Sequence, residues 1–503
     1  MKKFASLVMV IGLLALPACG KSKTNTLKYV PSNATLYFSI DNPYNWDSNK
    51  KEHVFSLIKS FGSANGAQSF DEWLDNLFQE DAAASGDISF SRDIKPWIGD
   101  SIAGYGLAHS SSRSTTDADV LLVPTKDEGK AKDFIPKLVK SSPGSFAEVK
   151  DGILFAADGE SLCGGDCSTA EATTQATAAV KRSENLDSSN SLEEDSDFKA
   201  LEEKVSSDKE LFAYSNPKSS KTSSESAAAS ECLGGGLAGT SNRAALNASI
   251  EENAAKIDAA TKSLRPESVS GKPTIMNGLP DDTVFAADGR GFGSSLSKVF
   301  KCLGQGSGST STEQAQLLQQ YQNVLGLDFA NDFSWIKGET VISVGDITAR
   351  EVGLVADASD SQAAAQATAK KINDALVKSG LSSTEKSPGV YTAVVGAYLP
   401  DLTFGVKNNR FIVSTTSAYF DTLSAAASKP LSSSSAYKDF IDPNESVFSA
   451  LFIQPDSIAS SIGGFVSPET AKSLKQIDGV GFTVTKDGDY GLVNGSIDFT
   501  SST

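Results

Sequence analysis

The chain has 503 residues, 21% charged and 39% hydrophobic, with a formal net charge of −17. That length allows about two to four domains, and the acidity, with no offsetting lysine or arginine stripe, excludes nucleic acid as a partner. His53 and His109 are the only imidazoles, which leaves little material for a serine triad or a histidine-rich metal site.

The basic start Met1–Lys3 precedes an uncharged apolar run, FASLVMVIGLLAL (4–16). The run is too short to span a bilayer at about 20 residues and suits a signal-peptide core. It ends in Leu16-Pro17-Ala18-Cys19, which resembles the lipobox of bacterial lipoproteins. The resemblance implies cleavage before Cys19 and lipidation of its sulfur. Residues 1–18 are then a leader and 19–28 a lipidated tether. The protein would sit in the bacterial envelope, on the extracytoplasmic side of a membrane, with that membrane as a partner through the lipid. Loss of Lys2 and Lys3 with the leader takes the charge from −17 to −19.

Beyond the tether, PSNATLYFSID (31–41) is a polar turn opening into a strand, and SLIKSFG (56–62) is helical up to a glycine stop. FSRDIKPWIGDSIAGYG (90–106) is a turn motif running into a strand. DVLLV (119–123) is a strand, KAKDFIPKLVKS (130–141) a helix, and SFAEVKDGILFAAD (145–158) a hairpin turning at Asp151–Gly152. The acidic stretch 182–197 reads as a solvated loop, not a metal cage. SDKELFAYSN (207–216) is another turn and strand. In SNRAALNASIEENAAKIDAATKSLRP (241–266), Leu246, Ile250, Ile257 and Leu264 share a helical face and Pro266 stops it, predicting a connecting helix over 241–270. PDDTVFAAD (280–288), PNESVFSALF (443–452) and the hairpin GFTVTKDGDYGLVNGSIDF (481–499) complete the strands.

The turn motif has an echo. FSRDIKPWIGDSIAGYG aligns without gaps to FANDFSWIKGETVISVG (329–345). Phe90 meets Phe329, Asp93 meets Asp332, Gly99 meets Gly338 and Asp100 meets Glu339, while Trp97 and Trp335 miss by one. Leu138-Val139-Lys140-Ser141 repeats as Leu376-Val377-Lys378-Ser379, and Leu192, Phe198 and Lys199 match Leu431, Tyr437 and Lys438. The expected fold is α+β: two tandemly duplicated lobes, 29–240 and 271–503, with mainly antiparallel sheets packed by helices. In this reading Asp93 and Asp332 cap a turn, and Asp100 and Glu339 open an exposed strand end. The motif is then architecture, not an acid–base site.

With Cys19 assigned to lipid, Cys163, Cys167, Cys232 and Cys302 remain, an even count that predicts two disulfides outside the cytoplasm. Cys232 and Cys302 end two pseudo-equivalent helices just before a glycine stop, which favours Cys232–Cys302 and leaves Cys163–Cys167 as a small ring. GRGFGSS (289–295) lacks the third glycine of a dinucleotide turn, Ser295–Lys298 lacks the companion elements of penicillin-recognising enzymes, and no G-x-S-x-G occurs. No cofactor, metal or catalytic residue is expected.

With the lipobox, the P-x-x-x-T-L-Y-F-S-I-D opening and D-I-K-P-W-I-G-D in place, the chain resembles a bacterial envelope family known as domain of unknown function 3352. Its members are often lipoproteins or single-span anchored proteins. The resemblance covers most of the chain after residue 26 and implies location and architecture, with no catalytic residues to carry over. The expected function is a non-enzymatic, lipid-anchored binding or scaffold module with an envelope protein as a possible partner. The alternatives are a solute-binding lipoprotein of an importer and, third, a hydrolase of wall or lipid substrates.

Overall fold

A computed structural model describes residues 25–499 except 61–65, 83–87, 89, 108–118, 164–166, 206–209, 217–242, 252–253, 263–268, 295–325, 329–330, 396–400, 463–470 and 472–473. The chain divides into two compact units. The first holds the described residues from 25 to 216 and from 243 to 262, and the second those from 269 to 499. Both are α+β. Among the described residues, no helix is long and apolar enough to cross a membrane.

The strands of the first unit are β1 (Leu36–Asp41), β2 (Ser101–Gly106), β3 (Val120–Pro124), β4 (Ser145–Lys150), β5 (Ile153–Asp158), β6 (Leu211–Ser215), β7 (Ala244–Ile250) and β8 (Ala254–Lys262). They pair antiparallel in the order β4-β5-β3-β2-β1-β6-β7-β8. SIAGYG, VLLVP and ILFAAD are buried along their whole length; covered on both faces, they read as near-continuous small and apolar runs. The β4–β5 hairpin turns at Asp151–Gly152 as predicted, with φ of 51° and 73°, the mirror-image turn that matches strand twist. Helices Glu128–Ser141 and Thr169–Glu184 pack on β4, and the second opens with a capping box between Ser168 and Glu171.

The predicted connecting helix over 241–270 is not formed. Its described residues make β7 and β8, a hairpin that extends the first sheet, β7 pairing with β6 from Leu211↔Ala248 to Ser215↔Ala244. An alanine-rich stretch satisfies helical spacing and a pleat alike, so the unpaired backbone edge of β6 decides between them. The first unit therefore does not end at 240. The 182–197 stretch is likewise no free loop. Glu184 is buried and pairs with Lys181 at 2.9 Å, Leu192 is fully buried, and Asp195 caps helix Ser196–Glu202 while pairing with Arg243 at 2.7 Å.

The second unit contains β9 (Phe285–Arg290), β10 (Glu339–Val344), β11 (Val352–Asp357), β12 (Ser382–Ser387), β13 (Val390–Val394), β14 (Leu402–Lys407), β15 (Arg410–Ser414), β16 (Ser449–Ile453), β17 (Ile477–Asp487) and β18 (Tyr490–Phe499). Their order is β12-β13-β14-β15-β11-β10-β9-β16-β17-β18, again antiparallel throughout. The run β11-β10-β9-β16-β17-β18 follows the same connectivity as β3-β2-β1-β6-β7-β8. Single hydrogen bonds repeat as well. Thr35 N–H donates to the Gly106 carbonyl as Val284 N–H does to Val344, and Leu192 N–H to Val30 as Leu431 N–H does to Leu279. The core packs Met276, Val341, Tyr419, Phe420 and Phe452 in one cluster and Trp335, Ile336 and Phe411 in a second.

Candidate functional site

The turn motif is built into the packing of each unit. Trp97 is 3% exposed, its ring lies 5.4 Å from that of Phe134, and its indole N–H donates to the Asp93 carbonyl at 2.7 Å. The Asp93 carboxylate is held by Lys137 of helix Glu128–Ser141 at 2.7 Å and by Arg92 at 2.7 Å. In the second unit Lys371 of helix Gln362–Lys378 holds Asp332 at 2.5 Å. Trp335 packs edge-on to Phe411 with centroids 5.5 Å apart, and its N–H donates to Thr368 Oγ1 at 3.0 Å. Thr368 in turn donates to the Asp332 carbonyl at 2.7 Å.

Strand register corrects the gapless alignment. Trp97 and Trp335 both stand four residues before their strands, which begin at Ser101 and Glu339, whereas Asp93 stands eight before and Asp332 seven. The tryptophans keep their place and the extra residue falls between aspartate and tryptophan, after a π-helical turn at Phe90–Ile94. The direct bond of the first unit becomes a bond through Thr368 in the second. Thr368→Val is therefore expected to cost about 1–3 kcal/mol, leaving the buried Trp335 N–H and the partly buried Asp332 C=O without their partner, while Thr368→Ser keeps most of it. Denaturant melts of the two variants check this.

The remaining motif residues go to separate settings. Asp100 is exposed and faces Asn45 at 3.4 Å. A side chain on Gly99 would meet the Pro124 carbonyl at 2.7 Å, and one on Gly338 the Asp357 side chain at 3.0 Å. Glu339 does not open an exposed strand end, as had been expected. It is 5% exposed and accepts from the backbone N–H groups of Ile275 and Met276 at 2.8–2.9 Å and from Thr274 Oγ1 at 2.8 Å. The reason is its register, opposite Arg290 on the inward face of the sheet. Cys163 and Cys167 form a disulfide. Phe329, Cys19, Cys232 and Cys302 lie outside the described residues, as does the side chain of Phe90.

A cavity of about 350 Å³ opens in the first unit, lined by strands β1, β2 and β6, helix Ser196–Glu202 and residues 25–27. Its aromatic floor is a triangle of Tyr37, Phe198 and Phe212 with ring centroids 5.8–6.3 Å apart. Burial pushes the Tyr37 phenol up to about 12, and its hydroxyl lies 3.1 Å from Thr26 Oγ1. Ser39 and Ser101 add hydroxyls, and Glu193, Lys199 and Glu202 complete the lining. Ser101 is 2% exposed, and its hydroxyl has no hydrogen-bond partner among the described residues.

At the matching strand positions the second unit carries charged side chains. Matched hydrogen bonds equate Ser39 with Asp288, Asp41 with Arg290 and Ser101 with Glu339, since Asp41 pairs with Ser101 as Arg290 pairs with Glu339. Arg290 Nη1 binds Asp288 at 2.9 Å and its Nη2 lies 4.0 Å from Glu339; all three side chains are nearly sealed from solvent. Burial and then the Glu339 charge push Asp288 up to about 7, against the pull of Arg290. Tyr437, the counterpart of Phe198, donates to Asn277 Oδ1 at 2.8 Å. Burial, with Asp288 and Glu339 nearby, keeps its phenol protonated.

A family model described as "Protein of unknown function (DUF3352)" matches residues 5–497. The chain belongs to this family. No curated protein and no solved structure matches it. The family's span covers both units. The cavity residues escaped the sequence reading because the gapless alignment set Glu339 against Asp100. Counting from the strands sets it against Ser101 and exposes the loss of an acid at that place.

Proposed function

We propose that this family member is a non-enzymatic, lipid-anchored binding module on the extracytoplasmic side of a bacterial envelope membrane, its two units descended from one duplicated ancestor. The cavity of the first unit carries this reading. It combines an aromatic floor with converging polar groups, the usual make-up of a small-molecule site, and its wall begins at Asn25, six residues after Cys19. Six residues reach at most about 20 Å, so a lipid on Cys19 would hold the cavity close to the bilayer surface. The antiparallel pairing in both units gives the importer reading no support, since that class is built from parallel βαβ lobes. The hydrolase reading needs converging acids, and the motif carboxylates have different partners: Lys137 for Asp93, Lys371 for Asp332, backbone N–H groups for Glu339.

The test is metabolic labelling with an alkyne fatty acid in a bacterial host. The unaltered chain should take the label and fractionate with membranes, and Cys19→Ala should lose both properties. An unlabelled chain free of the membrane fraction would end the anchored reading.

A further inference from the structure

We propose that the open face of the second unit's sheet, centred on Ile342 of β10, is where a second copy of this chain docks. This goes beyond the cavity reading and does not depend on it. The two faces of that sheet differ. Ala286, Val341 and Phe452 lie on one and are buried with Tyr419, Phe420 and Tyr437. Their neighbours along the strands lie on the other, where strand register sets them in rows. One row runs Val352, Val344, Phe285, Ile453, Val480 and Ile497, and the next Leu354, Ile342, Ala287, Leu451, Phe482 and Gly495. Neither row holds a polar or charged side chain, and every residue in them keeps some exposure to solvent. Ile342 is 44% and Val352 42% exposed.

The first unit shows that the fold does not require such a face. Its sheet has the same connectivity, and matched hydrogen bonds equate Gly106 with Val344. Followed across the pairings, Leu36, Ser215, Ala244 and Thr261 stand where Phe285, Ile453, Val480 and Ile497 do. Asp119, one residue before Val120, stands where Val352 does. Apart from Leu36, the first unit's residues in this row are small or polar. A contiguous apolar patch that folding does not need marks an interaction surface.

The face also selects its occupant. Strands β11, β10, β9, β16 and β17 are each paired along both edges, so an added strand finds no backbone partner there. A single peptide or lipid chain laid on an open sheet keeps its other side in water. The net charge of −17 opposes docking on an anionic bilayer. A second identical face covers the whole patch, since sheets pack face to face about 10 Å apart with their side chains interdigitated. Twofold pairing needs only one self-complementary surface. A third row, through Thr340, Gly289, Ser449 and Val484, is also uncharged. Three rows across strands about 4.8 Å apart give a patch of roughly 600 Å². Two copies then bury about 1,200 Å², the lower end of what a stable dimer needs.

The experiment is sedimentation velocity of the full chain carrying Cys19→Ala, over a wide range of concentration at low and high salt. A monomer–dimer equilibrium should appear and tighten with salt, which screens repulsion between acidic copies and leaves apolar contact intact. Val352→Asp, which installs the first unit's residue, should weaken the dimer at least tenfold with an unchanged melting temperature. Ile342→Thr keeps a β-branched side chain on the strand and should weaken it at least threefold; it decides the matter should the aspartate lower the melting temperature. A chain that stays monomeric throughout would overturn the proposal. So would a dimer that both variants leave intact, which would place the interface elsewhere. Binding to phosphatidylcholine vesicles without dimers, lost on Val352→Asp, would assign the face to lipid and overturn the second copy.

Discussion

Trp97→Ala should destabilise the first unit by about 3–5 kcal/mol, the range for removing a large buried aromatic. The indole fills space against Phe134 and supplies the N–H that the Asp93 carbonyl accepts. Truncation thus opens a cavity and also strips a buried carbonyl of its donor. The more discriminating comparison is with phenylalanine. Trp97→Phe keeps most of the packing but removes the donor to Asp93, at a cost of roughly 1–2 kcal/mol. Trp335→Phe should cost less, because Thr368 still donates to the Asp332 carbonyl after the indole is gone. Denaturant unfolding followed by far-ultraviolet circular dichroism measures both. Equal losses at the two tryptophans would contradict the threonine relay.

A second large effect concerns pH. Asp288 is buried with its carboxylate beside Arg290, and its pKa is pushed up to about 7 from an ordinary value of 3.8. The folded unit therefore binds this proton more tightly than the unfolded chain does. The stability it contributes is complete below about pH 4 and is lost as pH rises through about 7. A shift of this size corresponds to on the order of 4 kcal/mol between those limits. Asp288→Asn keeps an acceptor for Arg290 and removes the titration. The unaltered second unit should lose stability from pH 5 to pH 8, and the variant should lose markedly less and be the more stable of the two at pH 8. Parallel pH profiles for the two chains would show that Asp288 does not titrate in this range.

Much of the fold was legible where local chemistry and tertiary context agree. Asp151–Gly152 demanded a mirror-image turn and formed one, and the hairpin turning through Gly488, whose φ is 60°, was readable for the same reason. The connectivity shared by the two units has a counterpart in the sequence, where three matching blocks keep nearly one offset. Residues 244–262 were misread because alanine carries little local preference against sheet pairing, and what fixed them was the edge of β6, a partner distant in sequence. The cavity was hidden for a different reason. A single extra residue between Asp93 and Trp97 shifts the alignment by one place, and in a strand one place exchanges the inward face for the outward one. Glu339 then appeared to match the exposed Asp100, when its true counterpart is the buried Ser101. A repeat compared by strand position, counting back from Ser101 and Glu339, recovers both the matched tryptophans and the missing acid.

The central claim is that the first unit's cavity is the working surface of the protein. A photo-reactive amino acid placed at Lys199, on the cavity lining, and separately at Asp360, exposed in the second unit, tests it in living cells. The account predicts a discrete adduct from position 199 that is absent from position 360 and disappears when Ser101→Glu fills the cavity. No adduct at 199, or the same product from both positions, would contradict it.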